Sequence, residues 1–503
     1  MPRQLFNFAD FRGGINVDSA PDHVADNEVV KAENVDLSER GGLMKRKGTV
    51  RLNETSYGNQ VEQLIEWTRN NGDVELFIVI NSELRKVNET TWDTTLVQAL
   101  SANKIAYFFT QDKLYFIDGT NYFVYDGTTS EAVIPAVGSG ALTNIQKCSF
   151  AVRHPKSLRL FTAGNGDDNS ALYYSEYNAP DYFKATSVVY PNTGDGPILG
   201  LEIFGDAVIV FYKHGVWVWR GIDPEVDAVW EKLPVSIGIY SNDTVELTTN
   251  SLTFFGEGGL YSISPAVLSY TLTLQPGQDL VANLAEGKIA SLLRGIGNPA
   301  IATSVFDTDN QKYLMAYATS TGSMRNNRIL VMDWQTKSFT IYTGLSANDL
   351  LLRKNGELLM ATDGHILKMN EGYSDYGNPI AMSVRTKEYA LGYPFQRKLI
   401  TRLLLNYQQH YGDPVELDVI VYIDASTAKI ISESTYYGGF MWGEAIWGED
   451  TWGFRDQITV RHPLRKAGNR IQIWIDNEQN EVPVVFYGGG IEFTPVRSYG
   501  VEV

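Results

Sequence analysis

Fifty-nine carboxylates are the largest stock of reactive side chains in the sequence. Paired carboxyls at the ends of β-strands are what glycoside hydrolysis requires, one as acid and one as base or nucleophile. Asp195, Asp206 and Asp307 stand at strand ends and could be cast in those roles. Aspartate at a strand end more commonly caps a turn, and sequence spacing brings no two of the three together. The six histidines, His23, His154, His214, His365, His410 and His462, show no His-x-x-x-His or His-Glu-x-x-His spacing. Cys148 is the single cysteine, which rules out a disulfide within the chain and a cysteine-rich metal site. Gly138-Ser139-Gly140 lacks the spacing of a nucleophile elbow, and no phosphate-binding glycine loop follows a strand. Gly164-Asn165-Gly166-Asp167-Asp168-Asn169 has the oxygen-rich opening of a calcium loop without its closing glutamate, and reads as an exposed loop. No catalytic residue, cofactor or metal is expected, and the chain reads as a non-enzyme.

Binding residues are easier to find. Trp442, Trp447 and Trp452 recur every five residues, each followed by glycine. That interval keeps them off one face of either a helix or a strand, so a glycine-broken loop is expected. Such a candidate interaction loop could stack on sugar rings, enter a membrane interface, pack on a neighbouring subunit, or fold onto its own domain. Arg40, Lys45, Arg46 and Lys47 form a small basic cluster, suited to a solvated turn or to an acidic neighbour. The chain as a whole carries a net charge of −17. That balance argues against gripping nucleic acid through counterion release, and is compatible with DNA sliding past a wall that repels phosphate.

The elements that must position these residues are strands. The 28 tyrosines and 45 glycines suit many short pleated strands joined by tight turns. Residues 1–52 read as an extended N-terminal arm, with turns at Gly13-Gly14, Pro21 and Gly41-Gly42 and a short helix capped by Asp26 over 27–33. Residues 53–378 fall into strand-turn-strand units. VEQLIEWTRNNGDVELFIVI has a hairpin turn at 70–73, and KIAYFFTQDKLYFIDGTNYFVYDGTT is punctuated at Gln111-Asp112 and Asp118-Gly119. Recurrence at roughly 40–50 residues predicts a degenerate β-propeller of about six or seven blades, with a string of unrelated β-sandwiches as the alternative. A helical insertion is expected near 276–296, from the spacing of Leu280, Leu284, Ile289, Leu292 and Leu293. It would cover a propeller edge or touch a neighbouring subunit. Residues 379–503 hold longer alternating strands and predict a C-terminal β-sandwich, so the fold class is all-β. MPRQLFNFADF lacks the apolar run of a signal peptide, which with the lone cysteine suggests folding in a reducing cytoplasm.

The segment from Phe11 to Gly48 resembles the opening of the tail nozzle proteins of short-tailed bacteriophages, also called tail tubular or hub proteins of podoviruses. The resemblance rests on Phe11, Gly13, Gly14 and Ile15, then Glu33, Asn34 and Val35, then Gly41, Gly42, Leu43, Lys45, Arg46 and Gly48. It implies a structural virion protein that forms a homo-oligomeric ring, typically hexameric, around the DNA exit channel. Its implied partners are an adaptor or portal ring above, fibres or spikes at the side, and genomic DNA passing without sequence-specific contacts. The implied location is the phage tail, after folding in the host cytoplasm. Phe11, Gly13, Gly14, Asn34, Gly41, Gly42, Lys45 and Arg46 would then form an assembly arm, packed on its own propeller or on a neighbour. The Trp-Gly repeat and the helical insertion have no counterpart in that pattern. A spike-like receptor-binding adhesin and a propeller glycosidase acting on host polysaccharide are the rival readings.

Overall fold

Wherever a short turn separates two apolar runs, the runs pair with each other. In the computed structural model, which describes residues 2–38, 41–134, 136, 142–191, 194–269, 279–408, 414–435 and 457–496, Val61–Thr68 pairs antiparallel with Val74–Ile80 across the expected turn, where Gly72 takes φ +93°. Gln111 and Asp112, both at φ 53°, turn Ala106–Thr110 back onto Lys113–Ile117. Tight turns of these two kinds build antiparallel meanders.

Sheet 1 orders Val61–Thr68, Val74–Ile80, Glu83–Val87 and Thr94–Ala99. Sheets 2 to 5, over 106–132, 150–189, 198–232 and 246–283, are four-stranded in the same way. Asn298–Asp307, Lys312–Ala318, Arg328–Asp333 and Ser338–Thr343 continue the pattern as sheet 6. Sheet 7 takes Asp349–Leu352, Leu358–Ala361 and Ile366–Met369 from late in the chain and Thr49–Arg51 from its beginning.

Each sheet packs on the next. Trp67 and Phe77 of sheet 1 share a core with Leu114 and Phe116 of sheet 2. Phe161 and Leu172 of sheet 3 pack with Val208 and Trp219 of sheet 4. Leu314 and Ile329 of sheet 6 pack with Met360 and Leu367 of sheet 7. Leu359 and Ile366 of sheet 7 then pack with Leu64 and Ile78 of sheet 1, which closes a ring. The architecture is all-β with β-propeller character. A strand inside such a ring is covered on both faces and reads as one apolar run: Ala207–Tyr212 is buried at every position.

Two more sheets lie beside the ring and share one core with the adjoining faces of sheets 5 and 6. The first orders Val35–Leu37, Leu43–Lys45, Val485–Pro495, Lys398–Gln408 and Gln457–Gly468, with Gln4–Phe8 also paired to Val485–Pro495. The second orders Glu28–Glu33, Met382–Thr386, Ile471–Asn477, Val415–Ile423 and Ser426–Thr435, with Gly14–Ile15 beside Glu28–Glu33. Here only one face is covered, and Val415, Leu417, Val419 and Val421 alternate inward with Glu416 and Asp418 exposed. Glu33 also pairs with Ile341, joining this sheet to sheet 6.

The first fifty residues therefore differ from the expected arm. Glu28–Glu33 is a strand, not a helix, because Val29 and Ala32 are fully buried between paired neighbours. Long-range pairing outweighs helical spacing over so short a run. The arm has no separate existence: its strands complete both outer sheets and sheet 7. The helical insertion is reduced to Ala290–Arg294, since Val281–Asn283 pairs with Gly259–Ile263 as the fourth strand of sheet 5.

Candidate functional site

Two polar constellations stand out, one at the junction of the ring with the outer sheets and one on the ring axis. The junction is built from the Phe11–Gly48 segment. Arg46 is 1% exposed and uses every donor of its guanidinium. Nε donates to Asn34 Oδ1 at 2.9 Å. Nη1 donates to the Lys47 carbonyl at 3.0 Å and to Asp375 Oδ1 at 2.9 Å. Nη2 donates to the Thr343 carbonyl at 3.4 Å and to Asp375 Oδ2. The guanidinium also lies over the Tyr342 ring. Asn34 holds the left-handed φ of 56° that asparagine tolerates, and all four of its amide bonds are made. Its Oδ1 accepts from Arg46 Nε and the Thr343 N–H, and its Nδ2 donates to Thr343 Oγ1 and the Ala381 carbonyl.

The remaining segment residues close around this centre. Lys45 is fully buried, donating to Asn477 Oδ1 at 2.9 Å and to the Gln479 carbonyl. Burial, then the charge of Arg46, pushes its amine down to about 8. Phe11 is fully buried against Phe486, and its N–H donates to the Gly41 carbonyl. Gly13 N–H donates to the Asn27 carbonyl, and Gly42 N–H to Ser38 Oγ. Gly14 sits at φ +69°, where a Cβ would lie 2.6 Å from the Phe339 nitrogen of sheet 6. Gly48 is held tighter, since a Cβ there would lie 1.9 Å from the Ser374 carbonyl oxygen. The structure thus brings all eight proposed arm residues onto this chain's own sheets. Buried there, Lys45 and Arg46 cannot form the solvated or neighbour-facing basic cluster. Arg40 and the candidate loop of Trp442, Trp447 and Trp452 lie outside the described residues.

The proposed carboxylate pairs do not converge. Asp195 accepts from Trp217 Nε1 and Lys232. Asp206 pairs with Lys156, and Asp307 accepts from Asp309 N, Asn310 N and Asn370 Nδ2. In the loop at 164–169, Asn165 caps Asp167, Asp167 pairs with Lys147, and Asp168 accepts from Ser170 and Tyr190. Among the described residues no group of three or more His, Cys, Asp or Glu side chains is arranged to hold a metal.

Sequence reasoning missed the axis. The first strands of the sheets, or the residues just before them, line a cavity of about 1060 Å³. Into it come Gln63, Lys104, Arg153, Glu202, Asp243, Glu246, Thr303, Ser304 and Asp349. Their contacts stitch neighbouring sheets. Asp349 of sheet 7 accepts the Leu64 N–H of sheet 1 at 2.7 Å and the Thr303 hydroxyl of sheet 6 at 3.1 Å. Gln63 of sheet 1 bonds both the N–H and the carbonyl of Ile105, at 3.0 and 3.2 Å. The Leu201 N–H of sheet 4 donates to Asn242 Oδ1 at 3.0 Å. Lys104, entering sheet 2, forms an ion pair with Asp243, entering sheet 5. Burial pushes Glu202 up to about 7 and Asp349 up to about 6, with Lys104 opposing the latter. Burial, then the charge of Glu202, holds Glu246 well above the ordinary range. Burial works against the charge of Lys104, but Asp243 and Asp349 outweigh it and raise its amine. The available signal was one polar residue at the head of each repeating unit, which alternating strands supply too often to single out.

No protein-family model matches the chain, and no curated protein matches it. Among solved structures, the extracellular domain of the BT4673 hybrid two-component system from B. thetaiotaomicron is similar at 10% identity and TM-score 0.44, over 71% of this chain and 42% of that one. The chain thus spans less than half of that domain. The Neurospora crassa Pan2 WD40 domain is similar at 7% identity and TM-score 0.40, over 68% of this chain and 99% of that one. An exo-β-1,3-galactanase from Phanerochaete chrysosporium is similar at 8% identity and TM-score 0.27, over 87% and 100%.

Proposed function

We propose that the chain is a structural virion protein, a tail nozzle or hub that forms a ring around the DNA exit channel of a short-tailed bacteriophage. In this reading the fold is a seven-bladed propeller, its last blade closed by Thr49–Arg51, carried on a β-sandwich completed by the N-terminal strands. The observation that carries the reading is the fate of the Phe11–Gly48 pattern. Residues that resemble the nozzle family by type and order meet at one buried junction, where Asn34, Arg46 and Gly48 each satisfy a demand few other residues could. The net charge of −17 suits a wall past which DNA moves without sticking.

The axial cavity is not the DNA path in this proposal. It is crossed by the Lys104–Asp243 pair, and even the major groove of a duplex is ~12 Å wide. The lumen would instead lie between copies of the chain, in a closed ring expected to be hexameric. An adaptor or portal ring and fibres or spikes would bind the outer surfaces.

Negative-stain microscopy of purified protein tests this directly. Closed rings with a central opening are the expected result. A monomer or trimer that bound host glycan would favour an adhesin, and release of reducing sugars from host polysaccharide would replace the structural reading with a glycosidase.

A further inference from the structure

The axis holds more negative groups than its cations balance, and they arrive from separate parts of the ring. Glu202 comes from sheet 4, Asp243 and Glu246 from the entry to sheet 5, and Asp349 from sheet 7. Asp118, also in the lining, is spent on backbone N–H groups, accepting from Thr120 and Asn121 of its own turn and from Ser101. Glu62 of sheet 1 adds to the field at Lys104, and itself feels Asp363 and Arg325. The cations are Lys104 and Arg153, and only Lys104 forms an ion pair among the described residues. Tyr107, Tyr240 and Cys148 are the other titratable neighbours, and burial keeps all three neutral at ordinary pH.

These groups sit at the point where sheets are stitched together. Asp349 ties sheet 7 to sheets 1 and 6, which includes the step that closes the ring. The Asp243 carbonyl accepts from Ser304 of sheet 6. Asn242, its neighbour, accepts from sheet 4. Lys104 then reaches from sheet 2 to Asp243, across the ring rather than along it. Glu202, Asp349 and Asp243 each act on Glu246, so carboxyls carried by sheets 4, 5 and 7 repel one another across the cavity.

We propose that the axial cavity is a pH-dependent closure device, in which Lys104, held by Asp243 across the ring, offsets the repulsion of carboxyls gathered from sheets 4, 5 and 7, so that the ring tightens on acidification and slackens on neutralisation. The sign follows from proton uptake. Glu202, Glu246 and Asp349 keep their protons to higher pH folded than unfolded, so stability falls as pH rises from their unfolded values through their folded ones. The proposal is independent of whether the chain forms a tail ring.

The test is thermal unfolding of the full chain between pH 5 and pH 8. The wild-type midpoint falls across this range, while Glu202→Gln combined with Glu246→Gln raises the pH 8 midpoint and flattens the profile. Lys104→Met lowers the pH 8 midpoint and steepens the fall, with a smaller effect at pH 5. A double glutamine variant that left the wild-type slope unchanged would overturn the proposal. Should that variant fail to fold, wild-type hydrogen exchange decides. After correction for intrinsic rates, the Leu64, Ile105 and Leu201 amides exchange faster at pH 8 than at pH 5, and equal protection overturns the device.

Discussion

Arg46 and Asp375 form a two-bonded ion pair at the junction of the ring with the outer sheets, 329 positions apart in the chain. Arg46 follows the Leu43–Lys45 strand of an outer sheet, and Asp375 pairs in parallel with Thr49 of the strand that completes sheet 7. Asp375 also accepts from Thr49 Oγ1, so one carboxylate anchors both the arginine and the closing strand.

Removing one member leaves the other charged and buried. Arg46→Met is expected to cost about 3–5 kcal/mol, the usual range when a buried pair is broken from one side. Asp375→Asn should cost somewhat less, since the amide oxygen still accepts. Replacing both together should cost less than the two single changes summed. Denaturant unfolding of the four proteins checks this, and strict additivity would mean that the two residues act independently.

Gly48→Ala tests the closing strand by space alone. The new methyl would meet the Ser374 carbonyl oxygen, so a shift of backbone is required, and a loss of at least about 1–3 kcal/mol is expected. Gly166 is the control. It too has no left-handed φ, and the space around it is open, so alanine there should be close to neutral. Thermal midpoints of the two variants should rank in that order.

Lys45 gives a pH dependence of its own in the alkaline range. Its amine stays neutral to lower pH when folded, about 8 against the ordinary 10.5. Between those values the unfolded chain binds more protons, so this site makes stability rise with pH. Lys45→Met should abolish that rise, as read from unfolding free energies at pH 8 and pH 10. An unchanged slope would remove Lys45 as its source.

Trp447→Ala tests the tryptophan loop under the proposed function. The expected outcome is loss of rings with the far-ultraviolet spectrum and unfolding midpoint of the single chain preserved, followed by light scattering and negative stain. A large fall in that midpoint would assign the tryptophan to packing within its own chain.

The all-β class and many of the turns were legible in the residues themselves. Gly72, Gln111-Asp112 and Asp118-Gly119 mark turns because a turn is decided by the conformational freedom of the residues inside it. Alternation in Val415–Ile423 and the unbroken apolar run of Ala207–Tyr212 likewise report whether one face or two are covered. Only the tertiary structure decided what the first fifty residues do. Thr49–Arg51 and Leu43–Lys45 are three residues each, too short to announce a strand, and the strands that tie them into sheet 7 and the first outer sheet, Ile366–Met369 and Val485–Pro495, lie more than three hundred positions away. The same distance hid the charges. Arg46 reads as part of a solvated basic run until Asp375 arrives beside it, and Lys104 is one lysine among many until the ring closes and sets Asp243 opposite. Local conformation is written in adjacent residues, whereas burial and charge pairing depend on which distant segments the closed ring brings together.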